Sequence, residues 1–199
     1  GLGWHRGRIP ALVRDAASKI GKRFRAGFRL GSHLIEGKNR AQVYDFIKTA
    51  SPTGRQAFVI CPLVEESDNL GVKAATQEYE YLQKEIFPDL KIGLIHGRLN
   101  SRDKEAVMAS FRNKEIDILV ATAVVEVGVD VPNASIMIIE GAERFGLAQL
   151  HQFRGRIGRG DQQSYCFLFT EKTSGETKKR LQAFVTAKDG FAIAELDLK

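Results

Sequence analysis

A chain of 199 residues of which 43% are hydrophobic can bury a core of its own and points to one substantial globular domain. Its net charge of +6 is uneven: residues 1–40 carry ten of the 30 Lys and Arg but two of the 24 Asp and Glu, which leaves the remainder near neutral. Nucleic-acid contact by that remainder must come from local patches; no run reaches membrane-spanning length and no signal-peptide pattern opens the chain, so a cytoplasmic protein without a membrane partner is expected.

Residues 1–35 read as a basic arm. Pro10 could start a helix with Val13, Ala17, Ile20, Phe24 and Phe28 on one face and Arg14, Lys19, Lys22, Arg23 and Arg25 around it, weakened by Gly21 and Gly27. Such a helix suits nucleic acid, a membrane surface or an acidic partner, or has no specific role, since nothing in it has site-like spacing. The arm is expected to be poorly ordered or irregularly packed and foreign to the main domain, which is expected over residues 36–188. A helix over residues 40–50 should pack through Val43, Phe46 and Ile47.

From Gln56 onward, short continuous apolar runs (AFVICPL, KIGLIHG, DILVATA, SIMIIEG, SYCFLFT) are separated by longer polar segments. Continuous apolarity marks strands covered on both faces. Between the first two runs Val72, Ala75, Tyr79, Leu82 and Ile86 recur at helical spacing; between the next two, residues 104–111 do the same behind a cap at Asn100 or Ser101. Cys61 and Cys166 fall inside apolar runs and read as reduced core thiols. The alternation predicts an α/β fold with a mainly parallel sheet between two helical layers, whose ligand sites lie at the carboxyl ends of strands. That rule selects Pro62–Ser67, His96–Arg98, Thr122–Asp130 and the segment leading to Arg159.

In the last of these, HQFRGRIGR, Arg156 and Arg159 stand three residues apart beside Gln152, Gly155 and Gly158. Two readings stay open on these residues alone: a solvated basic helix, or guanidinium forks that hold the oxygens of a transferring phosphoryl group. The preceding Leu147 and Leu150 suggest that the arginines leave one face of a short helix. The complementary part is missing, because no G-x-x-x-x-G-K-[ST] occurs, and neither GKNRAQ nor GRLNSRDK has its glycine spacing with a lysine next to a hydroxyl. The chain is therefore not expected to hydrolyse a nucleotide unaided. His96 and His151 lack further ligands at metal spacing, so no metal site is expected, and Glu65, Glu66 and Asp68 read as a solvated acidic loop.

Taken together, AFVICPLVEES (57–67), LIHGRL (94–99), DILVATAVVEVGVDVPNA (117–134) and GAERFGLAQLHQFRGRIGRGDQQSYC (141–166) resemble the second, C-terminal RecA-like motor domain of the RecG branched-DNA helicase family of superfamily 2. The resemblance covers about residues 37–199 and rests on four motifs in order. It implies a three-layer α/β/α RecA-like domain of the P-loop NTPase type. It also implies that Gln152, Arg156 and Arg159 are catalytic, the arginines facing the γ-phosphate of ATP, and that Gly128 and Asp130 bind the nucleotide and link its cleft to DNA. Gly97, Arg98 and Thr122 would touch a nucleic-acid backbone without reading sequence.

ATP and Mg2+ would be held mainly by a first motor domain outside this chain. The implied partners are branched or duplex DNA and the N-terminal motor and DNA-binding domains of the same protein, in a bacterial, nucleoid-associated enzyme. Residues 189–199 resemble the start of the translocation element that follows the motor, and this element is expected to be incomplete. Two alternatives remain: a stand-alone nucleic-acid or protein binding module with a helicase-like fold, and the equivalent domain of a transcription-repair coupling translocase.

Overall fold

The computed structural model describes residues 30–62, 68–122, 131–158, 162–171 and 174–187. In chain order the main elements are β1 (Leu30–Glu36), α1 (Arg40–Ala50), β2 (Gln56–Cys61), α2 (Asp68–Tyr81, continued by a π turn, Leu82–Ile86), β3 (Ile92–Ile95) and α3 (Ser101–Arg112). They are followed by β4 (Ile118–Thr122), β5 (Ala134–Ile139), α4 (Leu147–Arg154), β6 (Ser164–Thr170) and α5 (Gly175–Thr186).

The six strands form one sheet in the order β1-β6-β5-β2-β4-β3, and every neighbouring pair is parallel. All strands therefore end on one side, and each connection must carry the chain back across a face. The four inner strands are buried along their whole length. This is why their sequences are continuous apolar runs rather than alternating ones. Alternate residues serve opposite layers: Phe58 and Ile60 join a core with α3, α4 and α5, through Phe111, Leu150 and Phe184, while Ala57, Val59 and Cys61 join α1 and α2 through Phe46, Ile47 and Leu82. The expected three-layer α/β/α architecture is thus present. So are α1, packed through Val43, Phe46 and Ile47, and the cap of α3, where Asn100 Oδ1 accepts the Asp103 amide at 2.8 Å. Burial raises the Cys61 thiol well above its ordinary range and pushes Cys166 up to about 12, so both remain protonated core groups.

One boundary is corrected. The main domain does not begin at residue 36: the six residues before it form most of β1, which pairs with β6 from Leu30↔Ser164 to Glu36↔Thr170. An edge strand needs less apolarity, and LGSHLIE buries only Ile35 fully, so the strand carries no continuous apolar run. The expected helix beginning at Pro10 lies outside the described residues, as do residues 189–199.

Candidate functional site

Because the sheet is wholly parallel, its two ends are chemically distinct, and the expected site residues divide between them. At the carboxyl end, β3 leads into the turn His96–Leu99, closed by the Leu99 amide on the His96 carbonyl at 3.2 Å. Lys104 Nζ donates to the Gly97 carbonyl at 3.0 Å and holds this turn against the first turn of α3, which leaves Arg98 exposed. The neighbouring β4 ends at Thr122, with Ile95 opposite Ala121 in register, so Gly97, Arg98 and Thr122 come together at one corner of the sheet. Thr122 itself is 1% exposed, and its hydroxyl is buried without a hydrogen-bond partner among the described residues. Unlike Arg98, it is not presented to solvent in this arrangement.

The carboxyl end also holds a buried charge cluster without a local sequence signature. Glu140 follows β5, its amide donating to the Ile60 carbonyl at 2.9 Å, and its carboxylate meets Arg40 of α1 at 3.0 Å. The Arg40 guanidinium lies 4.8 Å from the centre of the Phe169 ring. Burial and the nearby Glu78 push the Glu140 carboxyl up to about 7, against the downward pull of Arg40. Burial likewise raises Glu78, and burial with the two carboxylates raises the Tyr44 phenol. The position of Glu140 directly after an apolar run was the only available signal for it. Its partner lies 100 residues away in sequence.

The described part of HQFRGRIGR, residues 151–158, leads to the opposite end. The helix α4 runs back from the carboxyl end, and a side chain at Gly158 would lie 3.8 Å from Ser164 and 3.9 Å from Leu30, the first residues of β6 and β1. This corrects the expectation that the segment leading to Arg159 belongs with the carboxyl-end residues. The chain must return to the amino end before a parallel β6 can start. The same end holds Arg55, 6% exposed, which donates to the Gln163 carbonyl at 2.8 Å and to Ser135 Oγ at 3.4 Å.

Arg156 does not leave the face of a helix, as Leu147 and Leu150 suggested. The helix ends at Arg154, and Arg156 stands in the following turn, its amide donating to the Phe153 carbonyl at 2.9 Å. Gly158 continues that turn at φ +87°, a left-handed conformation that favours glycine. Gln152 is exposed one turn earlier, Arg156 is half-buried, and the Arg156 guanidinium has no hydrogen bond or ion pair among the described residues. Arg154 has the opposite character: 7% exposed, it donates to the Ala187 carbonyl at 3.2 Å and the Phe184 carbonyl at 3.4 Å, and lies 4.6 Å from the centre of the Phe184 ring. Gly128, Asp130 and Arg159 lie outside the described residues, as do Glu65 and Glu66. The segment containing Gly128 and Asp130 joins the carboxyl end of β4 to the amino end of β5, and so connects the two ends of the sheet.

Residues 38–161 match the family described as the helicase conserved C-terminal domain. The chain is 52% identical over 166 residues to the ATP-dependent DNA helicase RecG of Synechocystis sp., covering 83% of this chain and 20% of the relative. It is 54% identical over 158 residues to RecG of Thermotoga maritima, covering 79% of this chain and 20% of that one. A solved structure of RecG bound to a three-way DNA junction superimposes with a TM-score of 0.74 at 46% identity, covering 88% of this chain and 22% of that chain. The chain thus spans about a fifth of the length of these relatives.

Proposed function

From the premise that this chain belongs to the helicase conserved C-terminal domain family, we propose that it is the C-terminal motor domain of an ATP-dependent DNA helicase that remodels branched DNA in recombination and repair. The likeness to proteins named RecG, one of them solved on a three-way junction, supports this choice of substrate. In this reading the enzyme is cytoplasmic and nucleoid-associated. Among the described residues no helix is long and apolar enough to cross a membrane.

The observation that carries the proposal is the contrast between the two arginines that flank Gly155. Arg154 is engaged within the fold, whereas Arg156 is half-buried and its guanidinium has no hydrogen bond or ion pair among the described residues. A guanidinium that no described residue engages suits an oxyanion brought from outside, and its planar fork matches phosphate oxygens. These residues fit one side of a triphosphate. Among the described residues no three His, Cys, Asp or Glu side chains group together.

ATP, when bound, supplies the phosphoryl group that is transferred to water. Arg156, with Arg159 and Gln152 of the same sequence motif, would donate to the γ-phosphate oxygens and stabilise the charge that develops there, while a first motor domain would supply the phosphate cradle and the magnesium ligands. At the other end of the sheet, Arg98 and the Gly97 backbone contact phosphates of the DNA strand and fix position without reading sequence. Thr122 would join them after a local shift that exposes its hydroxyl. The connection through Gly128 and Asp130 then relates the two ends, so that closure around the nucleotide and its release move the domain along DNA.

Arg156→Ala in the full-length protein tests this proposal. DNA-stimulated ATPase should fall by about a hundredfold or more while DNA binding stays largely intact. A near-normal hydrolysis rate would overturn the assignment.

A further inference from the structure

The proposed role of Arg156 raises the question of what holds it in place. Arg156 lies between Gly155, which carries no side chain to anchor it, and Ile157, which is 4% exposed and belongs to the core. The nearest anchor on the amino-terminal side is Arg154. Its NH1 bridges the Phe184 and Ala187 carbonyls at the end of α5, and its NH2 lies 3.1 Å from His151 Nδ1 one turn back. Carbonyls at a helix end lack intrahelical donors and carry the negative pole of the helix, so a buried guanidinium is well matched to them. Leu147, Leu150 and Arg154 are the buried residues of α4, so the arginine occupies the core-facing stripe.

We propose that Arg154 is a positioning residue for Arg156: by tying the last turn of α4 to the end of α5, it fixes the short turn from which the Arg156 guanidinium emerges. The inference rests on the reading of Arg156 as a phosphate-facing arginine. Its physical content is geometric. Stabilisation of a developing charge needs donors placed to within a fraction of an ångström, and a misplacement of about 1 Å can cost about a hundredfold in rate. A methionine at residue 154 fills much of the same volume without donating to either carbonyl. A lysine keeps the charge and a donor for the carbonyls, but lacks the second nitrogen, placed by the planar fork, that meets His151 Nδ1.

The test uses Arg154→Met and Arg154→Lys in the full-length protein, with Arg156→Ala as the reference. It measures kcat and KM for ATP under saturating DNA, at a temperature well below each variant's unfolding midpoint. Arg154→Met should lower kcat about tenfold while changing KM for ATP little, with Arg154→Lys intermediate. Combining Arg154→Met with Arg156→Ala should slow the enzyme no further than Arg156→Ala alone. A purely structural Arg154 would lower the midpoint yet leave kcat at the wild-type value, and that result overturns the proposal. If Arg154→Met does not fold, a folded Arg154→Lys with wild-type kcat overturns it equally. A slow Arg156→Ala beside a normal Arg154→Met defeats this inference alone, whereas a normal Arg156→Ala defeats the reading of Arg156 and this inference with it.

Discussion

Glu140 should make the stability of this domain fall as pH rises. Its carboxyl is pushed up to about 7 from the ordinary 4.5, chiefly by burial and by Glu78, while Arg40 at 3.0 Å only partly compensates. The folded state therefore holds a proton that the unfolded chain releases between these two values. The stabilisation is complete below the unfolded pKa and disappears as pH rises through the folded one. With about 1.4 kcal/mol per unit, the loss approaches about 3 kcal/mol, a large share of the total stability of an ordinary domain. The Glu140 side chain is 12% exposed, so little of this is screened by solvent. The measurement is urea unfolding followed by far-ultraviolet circular dichroism at pH 5, 6, 7 and 8, for the parent chain and for Glu140→Gln. Glu78, Glu143, Tyr44 and Cys61 remain in both proteins, so the difference between them reports Glu140 together with its coupling to these groups and should shrink or reverse by about 2–3 kcal/mol from the lowest pH to the highest. Parallel curves would refute the argument, because they would mean that Arg40 keeps Glu140 ionised throughout.

Phe111→Ala should cost about 3–5 kcal/mol, because the ring is fully buried and packs edge-on against Phe58 at 5.0 Å; a loss of under about 1 kcal/mol in urea unfolding would contradict the described core. Asn100→Ala removes the acceptor that caps α3 at 2.8 Å and should cost about 1 kcal/mol by the same measurement. An unchanged unfolding midpoint would show that water replaces that cap at no cost.

The inner strands were legible because burial on both faces leaves a mark that needs no partner to interpret: a run such as QAFVIC is apolar at nearly every residue. β1 was not, since an edge strand with one neighbour tolerates Gly31, Ser32 and His33, and nothing local separates that from a loop. The place of HQFRGRIGR was recoverable in principle. An eight-residue helix between two parallel strands must return the chain to the amino end, which puts Arg156 opposite Arg98 rather than beside it. Arg154 was also within reach, at the next step of the helical stripe begun by Leu147 and Leu150. A charged residue on a core-facing stripe signals a built contact, whereas Arg156 falls off the end of that stripe. The pairing of Arg40 with Glu140 left no such trace, because contacts between residues 100 apart are set by sheet order and not by spacing.

The central claim is that this chain contributes one side of an ATP site and lacks the other, and DNA-stimulated ATP hydrolysis tests it most directly. The 199-residue chain alone should bind DNA weakly and in a salt-sensitive way and show no turnover above background. The same chain joined to a first motor domain that carries a phosphate-binding loop should hydrolyse ATP when DNA is added. DNA-stimulated turnover by the isolated chain would contradict the account.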